Sequence, residues 1–159
     1  RADQRAGSMK HSAFSTIRDF LEPMVKRPDH LQVAALCLRN APGGPEVLLV
    51  SSLTSRRWIL PKGWPMDGRS LAEAALQEAW EEAGVHGTVD PVPMGSFGYR
   101  KMMMQGLPVA CQCQVFRVEV TGLSESFPEK ARRRRRWLPP REAADLVEEP
   151  GLKALLSAL

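Results

Sequence analysis

Apolar runs separated by turn residues predict a domain built mainly of strands. Residues 31–39 and 46–52 are apolar runs typical of buried strands, and the Asn-Ala-Pro-Gly-Gly-Pro stretch between them predicts a hairpin. Strands in this order, mixed with few helices, imply an α/β arrangement in which helices pack on a mixed sheet. Beyond the hairpin, the pattern predicts an extended piece at 58–60, a glycine-rich loop at 63–68, strands within 86–100, at 109–120 and at 132–138, and helices at 141–148 and 153–159.

The best-defined element is a helix over residues 70–83. Ser70 and Glu73 form an S-x-x-E capping box, in which each side chain satisfies a free backbone N–H at the helix start. Gly84 supplies the left-handed residue that ends many helices. Between these signals, an apolar stripe at helical spacing predicts the buried face. Its members are Ala72, Leu76, Ala79, Trp80 and Ala83.

Three glutamates on this helix are the candidate chemical centre. Glu78, Glu81 and Glu82 stand at positions i, i+3 and i+4, so their side chains share one face within a single turn. Each like-charge pair at this spacing costs about 0.2–0.5 kcal/mol, and a hard divalent cation removes that cost by binding several oxygens at once. A solvated acidic helix face is the ordinary explanation of such a pattern. The glycine-rich loop before the helix and the glycine directly after it favour a metal site.

Composition indicates an ordinary globular domain. The chain has 159 residues, of which 43% are hydrophobic and 25% charged. Cys37, Cys111 and Cys113 are too few for a disulfide framework, and we expect them to be reduced and buried. No apolar run approaches the roughly 20 residues of a membrane span, and the first thirty residues contain no secretory signal. These features predict a soluble, cytoplasmic protein without membrane contact.

Charge is distributed unevenly. The net charge is +4, five consecutive arginines occupy 132–136, and acidic residues concentrate in 73–82 and 142–149. Separate basic and acidic clusters suit a site that holds both phosphate and metal. If 132–138 is a strand, Arg133 and Arg135 share one face, and guanidinium groups grip phosphate by two hydrogen bonds. A solvated basic edge strand is the competing explanation, and a nucleic-acid surface is the least expected.

The loop and the helix together resemble a known motif. The stretch Gly63-x5-Arg69-x7-Gln77-Glu78-Ala79-Trp80-Glu81-Glu82-Ala83-Gly84-Val85 is similar to the Nudix box, G-x5-E-x7-R-E-U-x-E-E-x-G-U, where U is a bulky aliphatic residue. The segments 34–39, 46–52, 57–61 and 135–137 resemble the Nudix branch that contains diphosphoinositol polyphosphate phosphohydrolases. The resemblance spans about residues 31–159. It implies the Nudix fold, a mixed sheet sandwiched between helices, with the box as loop–helix–loop.

Two box positions depart from the family pattern. Arg69 stands where the family has a glutamate, and Gln77 stands where it has an arginine. In the family these two residues commonly pair and hold the box in shape, so replacing both is less damaging than replacing one. Gln77 can still donate a hydrogen bond to a neighbouring carboxylate, although it carries no positive charge.

The resemblance implies a role for several residues. Glu78 and Glu82 would be ligands of Mg²⁺ or Mn²⁺, and the Gly63 region would add a backbone carbonyl oxygen. Glu81 would be the general base that takes a proton from the attacking water. The cation would screen the charge that develops on the phosphate oxygens during in-line displacement. Substrate contacts are expected from Lys62, Ser51, Ser52, Arg133 and Arg135.

The expected activity is metal-dependent hydrolysis of a pyrophosphate bond. The substrate would be a highly phosphorylated small molecule, either a diphosphoinositol polyphosphate or a dinucleoside polyphosphate. Alternatives are a Nudix hydrolase of nucleotide sugars or nucleoside triphosphates and a non-catalytic Nudix-fold module that binds nucleotide or RNA. Residues 28–159 would form the catalytic domain, as monomer or homodimer. Residues 1–27 would be an N-terminal extension with a short helix at 14–21, and the part before Met9 is a candidate expression remnant.

Overall fold

The computed structural model describes residues 30–102 and 106–159 of the chain. The predicted N-terminal extension and its helix lie outside these residues. Among the described residues, no helix is long and apolar enough to cross a membrane. In chain order the elements are β1 (His30–Ala41), β2 (Gly44–Ser51), β3 (Trp58–Ile59), β4 (Lys62–Gly63), α1 (Leu71–Ala83), β5 (Val85–Val89), β6 (Gly95–Met102), β7 (Pro108–Leu123), β8 (Arg135–Leu138), α2 (Pro140–Leu146) and α3 (Pro150–Ser157).

The eight strands form one mixed sheet. Its main path runs β3-β2-β1-β7-β5, while β4 pairs with β1, β6 with β7 and β8 with β2. β1 and β2 form the predicted antiparallel hairpin, and β1 runs parallel to β7 over nine residue pairs. One parallel pair among antiparallel ones makes the sheet mixed, as the sequence pattern predicted.

Helices cover both faces of this sheet, so β1 is buried on both sides. Val33, Ala35 and Cys37 pack on the face covered by α1. The alternate residues Ala34 and Leu36 pack on the face covered by α2 and α3. Burial on both faces explains why β1 reads as a continuous apolar run rather than an alternating one. The sandwich of helices around a mixed sheet is therefore confirmed. The three cysteines are free and buried, as expected.

The helix α1 begins and ends where its sequence signals predict. The Ser70 side chain accepts a hydrogen bond from the Glu73 backbone, and the Glu73 side chain accepts one from the Ser70 backbone. Gly84 adopts the left-handed conformation with φ of 68°. A Cβ there would lie 2.7 Å from a Phe127 ring carbon, so the glycine is also required by close packing.

The buried face of α1 consists of alanines rather than of the full predicted stripe. Ala72, Ala74, Ala75, Ala79 and Ala83 are buried. The predicted members Leu76 and Trp80 are only half-buried. Small side chains let the helix axis approach the sheet closely, which pushes the larger residues toward the rim. This close approach brings the glutamates of α1 within reach of β4.

The arginine run forms a turn before it becomes a strand, so the predicted strand over 132–138 is wrong at its start. The Glu129 carbonyl accepts hydrogen bonds from the backbone N–H groups of Arg132 and Arg133, at 2.9 and 3.1 Å. β8 begins only at Arg135. Arg133 and Arg135 therefore do not share the face of a strand. The turn instead directs Arg133 toward the glutamates of α1.

Candidate active site

Glu78 lies against the backbone of β4. A Cβ added at Gly63 would stand 2.1 Å from Glu78 Oε1 and 2.3 Å from Cδ, far inside van der Waals contact. Only a glycine leaves room for the carboxylate in this position. Gly63 pairs with Val33 of β1, whose side chain packs on the α1 side of the sheet. The sheet register thus places the Gly63 backbone beside a carboxylate of the helix, although the two are far apart along the chain.

Glu82 is almost completely buried, and each of its two carboxylate oxygens has a separate contact. Its Oε1 accepts a hydrogen bond from Arg133 Nη2 at 2.9 Å, and its Oε2 lies 3.4 Å from the backbone N–H of Lys62. Arg133 also contacts Glu129 Oε1, at 3.3 Å. The Arg133 side chain is itself only 7% exposed. This arginine therefore neutralises part of the charge that α1 and the following turn bring together.

Glu81 is oriented by the residue one turn before it. Gln77 Nε2 donates a hydrogen bond to Glu81 Oε1 at 3.3 Å, and Arg69 Nη1 donates one to Gln77 Oε1 at 3.2 Å. The expected hydrogen bond from Gln77 to a neighbouring carboxylate is confirmed. The two residues that depart from the box pattern thus contact each other, and together they connect the loop before α1 to Glu81.

Crowding and burial raise the pKa values of Glu78 and Glu82. Burial, followed by repulsion from Glu81 and Glu129, raises the pKa of Glu78 to about 7. Burial raises the pKa of Glu82 to about 8, although the Arg133 guanidinium opposes the rise. A carboxyl group with a raised pKa is a group whose negative charge is insufficiently compensated. Such a cluster gains free energy from any additional positive charge.

Serines 51 and 52 support the arginine turn. Ser51 is fully buried, its Oγ accepts a hydrogen bond from the Arg134 backbone at 2.9 Å, and its carbonyl accepts one from Arg133 Nη1 at 3.0 Å. The Ser52 hydroxyl is paired with that of Ser55 at 2.8 Å. In this structure Ser51 therefore holds Arg133 in place, and its hydroxyl is not exposed to a ligand.

Arg135 lies away from the glutamates, at the C-terminal end of α1. Its Nη1 donates to the carbonyls of Ala83 and Ser124, at 2.9 and 3.0 Å, and its guanidinium stacks over the Phe127 ring. Carbonyls at a helix end lack partners within the helix, and a cation there also balances the helix dipole. The structure thus places the Arg135 guanidinium at the helix end and does not bring it together with Glu78 and Glu82, and its expected contact with substrate stays a prediction.

Lys62 extends from β4 toward the opposite face of the sheet from Glu78. Its ammonium lies 4.9 Å from the centroid of the Tyr99 ring. Burial lowers the pKa of Lys62, and the nearby Glu82 carboxylate opposes this effect. Tyr99 in turn donates a hydrogen bond to Gln32.

Four residues beside the site were not identified from the sequence. Glu129 contacts Arg133, Tyr99 contacts Lys62, and Lys101 stacks over the Trp64 ring at 5.0 Å. Glu129, Tyr99 and Lys101 belong to no local motif, and each reaches the site through a strand or turn distant in sequence. The position of Trp64 directly after Gly63 was the one available signal.

Comparisons with known proteins agree on one family. Residues 29–159 match the model of the NUDIX domain family. The chain belongs to the Nudix family. Nudix hydrolase 12, mitochondrial, from Arabidopsis thaliana is 38% identical over 104 residues, which cover 64% of this chain and 51% of the relative. This chain therefore spans about half the length of that curated Nudix relative.

Solved Nudix structures have the same fold. The Ap4A hydrolase of C. elegans superimposes with a TM-score of 0.60 at 19% identity, covering 80% of this chain and 93% of that one. The NUDIX domain of NrtR from Shewanella oneidensis, in complex with ADP ribose, gives 0.61 at 15% identity, covering 93% and 97%. At these identities the likeness supports the fold alone. The Nudix fold expected from the box is thereby confirmed.

The expected cytoplasmic location is wrong by this comparison. The Arabidopsis relative at 38% identity is named mitochondrial, as are four further Arabidopsis Nudix hydrolases at 30–34% identity. The expectation depended on sequence composition and on the absence of a signal within this chain. Neither observation reports on the compartment of a protein family.

The donor groups of the Nudix box fit a divalent cation in chemical type. Members of the Nudix family generally need divalent metal ions. Glu78 and Glu82 offer carboxylate oxygens and Gly63 a backbone carbonyl, which are the hard ligands that Mg²⁺ and Mn²⁺ prefer. The missing side chain of Gly63 lets the Glu78 carboxylate lie directly against the β4 backbone. Among residues 30–102 and 106–159, no three carboxylate, histidine or cysteine side chains are already gathered around one point.

Proposed function

We propose that this Nudix protein hydrolyses a pyrophosphate bond in a highly phosphorylated small molecule, with Mg²⁺ or Mn²⁺ as cofactor. The observation that carries the proposal is the gathering of Glu78, Glu82 and the Gly63 backbone, with raised pKa values for both carboxyl groups. The raised pKa values of these carboxyl groups indicate negative charge that Arg133 compensates only in part. A cation ligand set explains why they are present.

Each of the proposed site residues has a separate task. Glu78, Glu82 and the Gly63 carbonyl would hold the cation, which screens charge on the phosphate oxygens and favours deprotonation of the attacking water. Glu81 would take the proton from that water, in the orientation that Gln77 gives it. Half-burial leaves Glu81 accessible to solvent, as a base that exchanges protons must be.

The cationic groups would bind the anionic substrate. Arg133 contacts Glu82 in this structure. A cation bound by Glu82 would replace much of this contact and release guanidinium donors for a phosphate oxygen. Lys62 has its ammonium on the Tyr99 ring and would bind a neighbouring phosphate. Ser51 would contribute by positioning Arg133, and Ser52 by positioning the loop after β2.

Two substrate classes remain candidates, diphosphoinositol polyphosphates and dinucleoside polyphosphates. The sequence resemblance supports the first class, and the second is included because an Ap4A hydrolase has the same fold. Both contain a pyrophosphate bond flanked by further phosphate groups. A binding module without catalysis is the remaining alternative, and the Arg69–Gln77–Glu81 contacts argue against it because they keep the proposed base oriented.

A panel assay tests the proposal. The protein is incubated with Mg²⁺ or Mn²⁺ and with both substrate classes, nucleotide sugars and nucleoside triphosphates, and the products are separated by chromatography. We expect cleavage in the wild type, loss of cleavage in Glu81→Gln, and unchanged cleavage in the matched control Glu142→Gln, an exposed glutamate on α2. Melting temperatures of both variants should stay near that of the wild type. Full activity of Glu81→Gln, or tight binding without turnover of any compound, would refute the proposal.

A further inference from the structure

A second cationic site lies on the face of the sheet opposite Glu78. Successive residues of a strand point to opposite faces. Gly63 faces Glu78, so Lys62 faces the other side, where its partner Ala34 belongs to the core beneath α2 and α3. The position of the Lys62 ammonium over the Tyr99 ring agrees with this direction. A ligand that reaches from the Glu78 side of the sheet to the Lys62 ammonium must therefore extend past the edge of β4.

Lys101 brings a second ammonium to the same region. It lies two residues after Tyr99 on β6, so the two side chains share a face. Its ammonium stacks 5.0 Å from the centroid of the Trp64 ring. Trp64 follows Gly63 directly and is 38% exposed, and the His30 ring packs against its edge. Lys101 thus stands beside the loop that leads from β4 to α1.

Neither ammonium forms an ion pair with a carboxylate in the part of the chain that the structure describes, where no carboxylate oxygen lies within 4.0 Å of Lys62 or Lys101. Aromatic rings are their contacts, and a ring attracts a cation without cancelling its charge. Arg57, a third cation near Lys62, differs because Glu149 and Glu148 accept its Nη1 contacts. Two ammonium groups that lie beside Tyr99 and Trp64, with no carboxylate in contact, favour the binding of an anion.

We propose that Lys62 and Lys101 form a phosphate subsite, walled by Tyr99 and Trp64, for phosphate groups beyond the bond that is cut. The inference rests on the proposed function and narrows it. A simple diphosphate would be bound by the box and Arg133 and would gain nothing from this subsite. A chain of three or more phosphates, or a ring with further phosphates beside the diphosphate, would reach it. The protein would thus select its substrate by the number of phosphate groups.

The substitution Lys101→Met tests the subsite. Methionine keeps an unbranched apolar stem against Trp64 and removes only the charge. Lys130→Met is the matched control, since Lys130 is exposed and its ammonium makes no ion pair or ring contact with the residues that the structure describes. The full chain of each variant is assayed with dinucleoside diphosphate and tetraphosphate, and with a diphosphoinositol carrying no further phosphate or several of them. The nucleoside and inositol arms show which source of phosphate the subsite accepts.

We expect Lys101→Met to raise KM roughly tenfold for the substrates with more phosphates and less than twofold for those with fewer, because one charge-assisted hydrogen bond is lost. The value of kcat should not change, since the group contacts no reacting atom. An equal rise of KM for short and long substrates would overturn the proposal. Identical kinetics in Lys101→Met and Lys130→Met would overturn it as well.

Calorimetry with inorganic tripolyphosphate separates this inference from the proposed function. Binding is measured in the wild type and in both lysine variants, without any turnover. Weaker binding in Lys101→Met alone would support the subsite even if the panel assay found no hydrolysis. Equal affinities in all three proteins would refute the subsite even if hydrolysis were found.

Discussion

Replacing Gly63 with alanine tests whether the close approach of the Glu78 carboxylate to the Gly63 backbone forms a metal site or is simply a packing feature. The new Cβ would lie 2.1 Å from Glu78 Oε1, whereas an unstrained contact needs roughly 3.5 Å. The carboxylate must therefore move by about 1.4 Å. Its side chain is flexible and half-buried, so the movement itself should cost little stability. The ligand geometry, in contrast, tolerates only about 0.2 Å.

The expected result is a protein that folds normally but no longer responds to its cation. A displacement of this size should lower kcat by roughly 10²-fold. In the wild type, a cation at a hundred times its Kd should stabilise the fold by about 2.7 kcal/mol, which raises Tm by several degrees. In Gly63→Ala this increase should disappear, while Tm without cation stays within about 2 °C of the wild type.

Thermal unfolding with and without Mn²⁺, together with the hydrolysis assay, provides the measurement. Gly43→Ala is the control, because a Cβ at Gly43 in the β1–β2 turn would meet no atom within 4 Å. That variant should retain both the activity and the full increase of Tm. If Gly63→Ala kept the wild-type response to Mn²⁺, Gly63 and Glu78 could not be neighbouring ligands of one ion, and the reasoning would fail.

Three further predictions concern charges in the same site. Because the pKa of Glu82 is raised in the folded state, the fold binds a proton that the unfolded chain releases, so the metal-free protein should lose stability as pH rises from about 4.5 to about 8. Urea unfolding without cation should show this loss. Glu82→Gln should remove the part between about pH 7 and 8 and reduce the rest, because Glu78, whose pKa is about 7, also releases a proton on unfolding; a pH-independent wild type would contradict the assigned burial. Above pH 8, where Glu82 is ionised, Arg133→Met should destabilise the fold by about 3–5 kcal/mol in the same measurement, because it leaves a buried carboxylate unpaired, and a loss below 1 kcal/mol would show that the pair is solvated. Gln77→Ala should lower kcat with little change in the Mn²⁺ affinity. The double variant Arg69→Glu with Gln77→Arg, which restores the usual family pair, should retain activity. An inactive double variant would show that this chain needs its own pair of residues.

The elements that could be predicted from the sequence depend on neighbouring residues. The capping box of α1, its left-handed end at Gly84 and the hairpin of β1 and β2 all arise from contacts within a few positions. The three glutamates share a face for the same reason, since helical spacing alone sets their direction. The position of Gly63 could also be predicted, because the Nudix box fixes the number of residues between this glycine and Glu78.

Other features depend on residues that are distant along the chain. The strand predicted for the arginine run failed because the Glu129 carbonyl competes for its first N–H groups, which no local pattern indicates. The separate positions of Arg133 and Arg135 followed from that turn. One reaches Glu82, which lies 51 positions earlier, and the other reaches the end of α1.

The sequence by itself therefore determined the family and its fold, through the box motif, and the helix face that Glu78, Glu81 and Glu82 share, because helical spacing alone decides it. Only the tertiary structure decided how the cations are used. Pairing of β4 with β1 sends Gly63 and Lys62 to opposite faces, and the path of β6 brings Tyr99 and Lys101 beside Lys62 and Trp64. The packing of the whole sheet decides which of these residues become neighbours, and their spacing along the chain does not predict it.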